Sequence, residues 1–347
     1  MDAAFVALYT SLLSGQPPNA PAFDAAARAH LATTTTADQH DEYFNNFSAY
    51  WNLRLTQGQI RASALIWPWA LRPALAHEAA TGKLVHKGSP YFYWATSALL
   101  IDDLDMAYLL LNRAFEEDIR THGSVAPSTP GYAVATLDAS VTQNLLQPYV
   151  TIQAAALERR LASYRTTYSR TLTLPDFRSR FLALSQMRQT VSMFAYSLAR
   201  SERFVTFDPQ LWVGPFPSQI AFDTLFDLCL VVDDSVHAKN SAQWKFFDHA
   251  RFLSARASLG LTQQDLSAIR GAFTASFTAT LSALLAGSFS LGTAAPLTGL
   301  ARSLAITYGC RNRGAHAISS TGLTASDYQS TVDHILHTLC LVVDTLY

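Results

Sequence analysis

Phe222-Asp223-Thr224-Leu225-Phe226-Asp227-Leu228-Cys229 sets apolar side chains at 222, 225, 226 and 229. Spacing by three and four gathers them on one stripe of a helix with 3.6 residues per turn. Phe5, Leu8, Tyr9 and Leu12 repeat the pattern near the other end of the chain. Alternating apolar and polar runs between turns, the mark of half-buried strands, are rare. An all-α fold is the expectation. Its helices are punctuated by Pro/Gly-rich breaks at residues 15–21, 127–131, 209–217 and 287–296.

A chain of 347 residues exceeds one small core and is expected to divide into two units. The break near 208–217 suggests a helical region over 1–207 and a helical bundle over 216–347. Apolar residues make up 49% and charged residues 15%. That composition suits a well-filled globular protein and hints that a second copy covers some apolar surface. The net charge of −1 argues against a dedicated high-affinity duplex binder. Charge is unevenly spread, however. Residues 151–205 hold nine arginines against three acidic residues, and this basic segment has two candidate uses, a phosphate backbone or a solvated helix face.

Between Gly88 and Gly123, Tyr91-Phe92-Tyr93-Trp94-Ala95-Thr96-Ser97-Ala98 predicts one helix, Asp102-Asp103-Leu104-Asp105 a tight turn, and Met106 to Glu117 a second helix. Tyr91, Ala95, Ala98, Ala107, Leu111 and Ala114 stand where two closely crossing helices need aromatic, small and large apolar residues. This hairpin resembles a tetratricopeptide unit. The resemblance implies an N-terminal region of stacked hairpins in which the flanking segments are degenerate copies.

Most of the chemistry is concentrated in Arg311-Asn312-Arg313-Gly314-Ala315-His316. A guanidinium that stays charged can hold phosphate oxygens, and an imidazole that titrates near neutrality can move the proton of a ribose hydroxyl. The spacing Arg-polar-x-x-x-His, between a helix over 300–310 and an amphipathic segment over 327–347, resembles the signature of the HEPN superfamily of helical ribonucleases. The resemblance implies metal-independent cleavage of single-stranded or tRNA-like RNA, with no cofactor and no metal. His316 would be the general base or acid, Arg311 would stabilise phosphoryl charge, and Asn312 would position phosphate or fix the histidine. Arg313 would contact the RNA backbone or face solvent. HEPN domains usually pair two copies around one cleft, which implies a homodimer. An acidic residue on an early helix sometimes orients the motif, and Asp223, Asp227 and Asp234 are candidates. The implied biological role is that of a cytoplasmic toxin or phage-defence effector, with a protein or ligand trigger acting through the N-terminal helices.

Two other expectations compete with this one. The first is a HEPN-like scaffold without activity that dimerises and binds nucleotide or protein partners. The second is a plain helix end, with Arg311 and His316 capping carbonyls of their own chain. Elsewhere the sequence argues mainly by exclusion. Cys229, Cys310 and Cys340 lie in apolar runs without metal or disulfide spacing, as expected of reduced thiols. His334 and His337 share a helix face without further ligands at sensible spacing, so packing roles are expected. Asp233-Asp234 is expected at an exposed helix end. Met1-Asp2-Ala3-Ala4-Phe5 lacks the basic start and apolar core of a signal peptide. The uncharged run between Arg270 and Arg302 is broken by Gly287, Gly292 and Pro296 and suits a buried helix ending near Leu285, not a membrane span.

Overall fold

The computed structural model describes residues 3–33, 36, 41–126, 129–140, 144–206, 208–212, 215–314 and 323–347. Among them the secondary structure is helical, with one isolated bridge between Ser290 and Pro296 and no strand. The fold is all-α. The chain divides into two compact units, one of residues 1–134 and 140–147, the other of residues 135–139 and 148–347.

The first unit holds α1 (Ala3–Ser14), α2 (Ala20–Ala32), α3 (Asp41–Thr56), α4 (Ile60–Ala64), α5 (Ile66–Thr81), α6 (Gly88–Leu100) and α7 (Leu104–His122), and α8 (Pro130–Ala135) reaches its boundary. The hairpin expected from the sequence is α6–α7. Ala95, Ala98, Ala107, Leu111 and Ala114 are all buried there, because small side chains let the two backbones approach. Asp102 takes φ of +67° in the turn, and the Asp103 side chain accepts the Met106 N–H as an N-cap. Gly123 ends α7 in the left-handed conformation with φ of +80°. Lys87, fully buried before α6, donates to Glu78 at 2.8 Å and pairs with Glu117 at 2.9 Å, and Arg120 joins the same two carboxylates at 2.6 Å each. Two cations thus balance two anions, which is the condition for burying them.

The second unit holds α9 (Gln147–Tyr168), α10 (Leu174–Phe177), α11 (Arg188–Val205), α12 (Pro215–His237), α13 (Phe246–Arg256), α14 (Gln263–Ala275), α15 (Phe277–Leu285), α16 (Gly299–Gly314) and α17 (Ala325–Leu346). α12 packs on α11, α16 and α17 around one core that runs from Leu137 to Val343. Its stripe of Phe222, Leu225 and Cys229 is buried as the spacing predicts. Capping boxes at Thr262/Asp265 and Thr324/Asp327 fix the starts of α14 and α17. The uncharged run does end its helix at Leu285, though Ser276 breaks it into α14 and α15. No described helix is long and apolar enough to cross a membrane.

This unit is larger than a bundle beginning at 216, because the 209–217 break lies inside it and the basic segment folds with the acidic C-terminal helices. Arg160 pairs with Glu202 and Asp333, Arg170 with Asp344, and Arg200 with Asp227. Several of the nine arginines are therefore committed to holding helices together.

Candidate active site

α12 continues to His237, so Asp233 lies within a helix and only 9% of its surface is exposed. It stands on the apolar stripe, four residues after Cys229 and seven after Phe226. Three elements meet on its carboxylate. Arg311, in the last turn of α16, donates its Nε–H to Asp233 Oδ2 at 3.0 Å. Its guanidinium carbon lies 5.4 Å from the centre of the Phe226 ring. From α13, His249 Nδ1 reaches Asp233 Oδ1 at 2.6 Å.

The other nitrogen of His249, Nε2, faces the Gln243 carbonyl oxygen at 3.1 Å. A carbonyl accepts and cannot donate, so both ring nitrogens meet acceptors, an arrangement that suits the imidazolium. Burial opposes that charge, yet the bonds to Asp233 and Gln243 outweigh it and raise the His249 pKa. Asp233 thus sits between two cations. The same Gln243 oxygen meets His237 Nδ1 at 2.8 Å, so two histidines clamp the loop between α12 and α13.

Beside this relay lies a cavity of about 390 Å³, lined by Gln189, Thr190 and Met193 of α11, by Asp233, Asp234 and His237 of α12, and by Trp244 and His249. Thr190 donates to Asp234. Trp244 is 81% exposed, and its ring centre lies 4.4 Å from that of His237. An exposed indole at the rim offers a face for stacking a flat ligand.

The residues singled out from sequence divide as follows. Arg311 turns to a carboxylate on another helix, not to the carbonyls of its own helix end. Its side chain is 24% exposed. Asn312 does turn back, donating Nδ2 to the Tyr308 carbonyl at 2.9 Å. Arg313 belongs to the last turn of α16. His316 lies outside the described residues. Asp223 is exposed, Asp227 pairs with Arg200 and Asp234 takes the Thr190 hydroxyl, whereas Asp233 holds Arg311. Counting along the stripe from Phe226 through Cys229 would have found Asp233. His249 likewise follows Phe246 and precedes Leu253 on a buried stripe.

The thiols are buried and unbonded to one another, and burial raises the pKa of Cys310 to about 12. His334 and His337 are packing residues: His334 Nδ1 meets Ser303 Oγ at 2.9 Å, His337 Nδ1 meets Tyr168 Oη at 3.3 Å, and burial lowers both pKa values to about 4. Among the described residues, one group brings three metal-ligating atoms together: His86, Asp118 and His122 of the first unit. Neither protein-family models, curated proteins nor solved structures give a match to this chain.

Proposed function

We propose that the second unit is the catalytic part of a metal-independent endoribonuclease of HEPN type, acting as a homodimer on single-stranded or tRNA-like RNA. The observation that carries this reading is the fixation of Arg311. Asp233 grips its Nε, and the Phe226 ring lies alongside the guanidinium. A guanidinium oriented in advance stabilises charge on phosphoryl oxygens without reorganising during the reaction. His249, held as imidazolium, adds a second positive group to the same carboxylate, so Asp233 orients Arg311 without cancelling the local charge.

In this mechanism His316 removes the proton of the ribose 2′-hydroxyl. The 2′-oxygen attacks phosphorus, the bond to the 5′-oxygen breaks, and that oxygen leaves with the proton returned by the His316 imidazolium. The products carry a 2′,3′-cyclic phosphate and a 5′-hydroxyl. DNA, lacking the internal nucleophile, is spared. Asn312 has a donor engaged by Tyr308, which leaves its amide oxygen better suited to an imidazole N–H than to a phosphate. It therefore fixes the histidine. Trp244 at the cavity rim is the stacking platform for a base. A cellular role as a toxin or phage-defence effector, with the first unit receiving a protein or ligand trigger, belongs to the same proposal.

The test is cleavage of labelled single-stranded RNA in EDTA by wild type, Arg311→Ala and His316→Ala, with product ends mapped. Cleavage with cyclic-phosphate ends, lost in both variants, supports the nuclease. An intact RNA pool with wild type favours the inactive scaffold.

A further inference from the structure

The first unit contains a second histidine–aspartate pair that the ribonuclease reading does not use. His86, in the segment leading into α6, places Nε2 2.8 Å from Asp118 Oδ1 on α7. Asp118 and His122 are four residues apart on α7 and so share a face. The ring centres of His86 and His122 lie 4.8 Å apart, and the three ligating atoms all lie within 4.8 Å of one another. Two donors on one zinc ion, each at roughly 2.1 Å, sit roughly 3–4 Å apart. A small rotation of the exposed His122 closes the difference.

Three further observations make this a seat instead of a chance meeting. Gly88 stands against the pair, and a Cβ there would lie 2.7 Å from His86 Nε2 and 3.0 Å from Asp118 Oδ1. The glycine keeps open the space that an ion would need. A cavity of about 220 Å³ opens beside two of the three, lined by His86, Gly88, Ser89 and Asp118 among others. The neighbouring charges are also settled among themselves: Glu78 and Glu117 are matched by Lys87 and Arg120, which leaves Asp118 as the carboxylate turned to the histidines.

We propose that His86, Asp118 and His122 bind a divalent transition-metal ion, with zinc the best match to two imidazoles and one carboxylate. Protein ligands fill three positions and the fourth faces the cavity, the arrangement of a site that accepts water or a small ligand. The Asp118 carboxylate would offset part of the ion's charge. The ligands come from the segment before α6 and the last turn of α7, so an ion there ties the open end of the hairpin. This site is independent of the RNA chemistry, since the proposed cleavage proceeds in EDTA.

The experiment uses the full chain, stripped of metal, dialysed and titrated with zinc, and separately with cobalt to read coordination from its visible spectrum. The expected result is one ion per chain. Affinity should fall by at least about tenfold in His122→Gln, whose exposed position spares the fold, and in Asp118→Asn. Gly88→Ala, which leaves all three ligands in place but fills the seat, should weaken binding as well. His334→Gln, in the other histidine pair, should bind as wild type does. Equal binding by wild type and His122→Gln, or no stoichiometric uptake, overturns the assignment. Loss of binding in His334→Gln alone overturns it too, by placing the metal elsewhere.

Discussion

Among the described residues stand two histidine–aspartate pairs of nearly equal length, His249–Asp233 at 2.6 Å and His86–Asp118 at 2.8 Å, one in each unit. The third partner separates them. Arg311 on the far oxygen of Asp233 and a carbonyl on the far nitrogen of His249 make the first a fixed ionic relay with both ring nitrogens committed. His122 beside Asp118, with the space guarded by Gly88, makes the second a set of converging donors. A pair of residue types carries no function by itself; the group that completes the charge balance decides whether the pair orients a cation or offers to hold one.

The largest expected effect concerns the relay. Removing Arg311 should lower RNA cleavage by about 10²–10³-fold, the usual loss when a preorganised charge-stabilising donor is deleted. Asp233→Asn should lower it less while leaving the guanidinium present, which separates orientation from charge. Equal activity in Asp233→Asn and wild type would break the contrast drawn above.

Stability should show a comparable asymmetry. Asp233→Ala strands two cations and is expected to cost about 3 kcal/mol in chemical unfolding. The buried histidines of α17 supply the opposite pH signature. His334 and His337 are neutral in the fold, chiefly through burial, with pKa values near 4 against about 6.5 unfolded. Their contribution is complete above about pH 6.5 and is lost as pH falls toward 4, by at most about 3 kcal/mol for each. His249 has a raised pKa, so its contribution is complete below about pH 6.5 and is lost as pH climbs through the raised value. Unfolding curves of wild type and His249→Gln should therefore converge at high pH, whereas His334→Gln, with no imidazole at 334 to protonate, should lose less stability than wild type as pH falls toward 4.

Glycine contacts give smaller effects. Gly309 on α16 lies so close to the Phe273 ring that an added Cβ would overlap it. Gly309→Ala is expected to cost about 2 kcal/mol and to displace Arg311, two residues on. Gly88→Ala should cost about 1 kcal/mol without metal and more with zinc present, because it then also forfeits the binding energy. A Gly88→Ala cost that is the same with and without zinc would count against the seat.

The sequence revealed much of the scaffold. The α6–α7 hairpin follows from alanines at crossing positions and an aspartate-rich turn. The end of α15 at Leu285 follows from the glycines and proline beyond it. Less of the candidate site could be read. Arg311 was evident from its spacing to Asn312 and His316, but Asp233 was hidden behind the assumption that paired aspartates mark an exposed helix end. The extent of the second unit was also hidden, since the Pro-rich stretch at 209–217 looks like a boundary while Arg160, Arg170 and Arg200 bind acidic residues farther along.

By itself the sequence determined the helical class, the hairpin and the place of the Arg311 motif, because period, capping and turn chemistry act over a few residues. Tertiary structure alone decided that Asp233 meets Arg311 across 78 positions and that His86 meets Asp118 across 32. Such meetings depend on how buried stripes dock, and that docking is set by the collective packing of whole helices, not by any local run of residues.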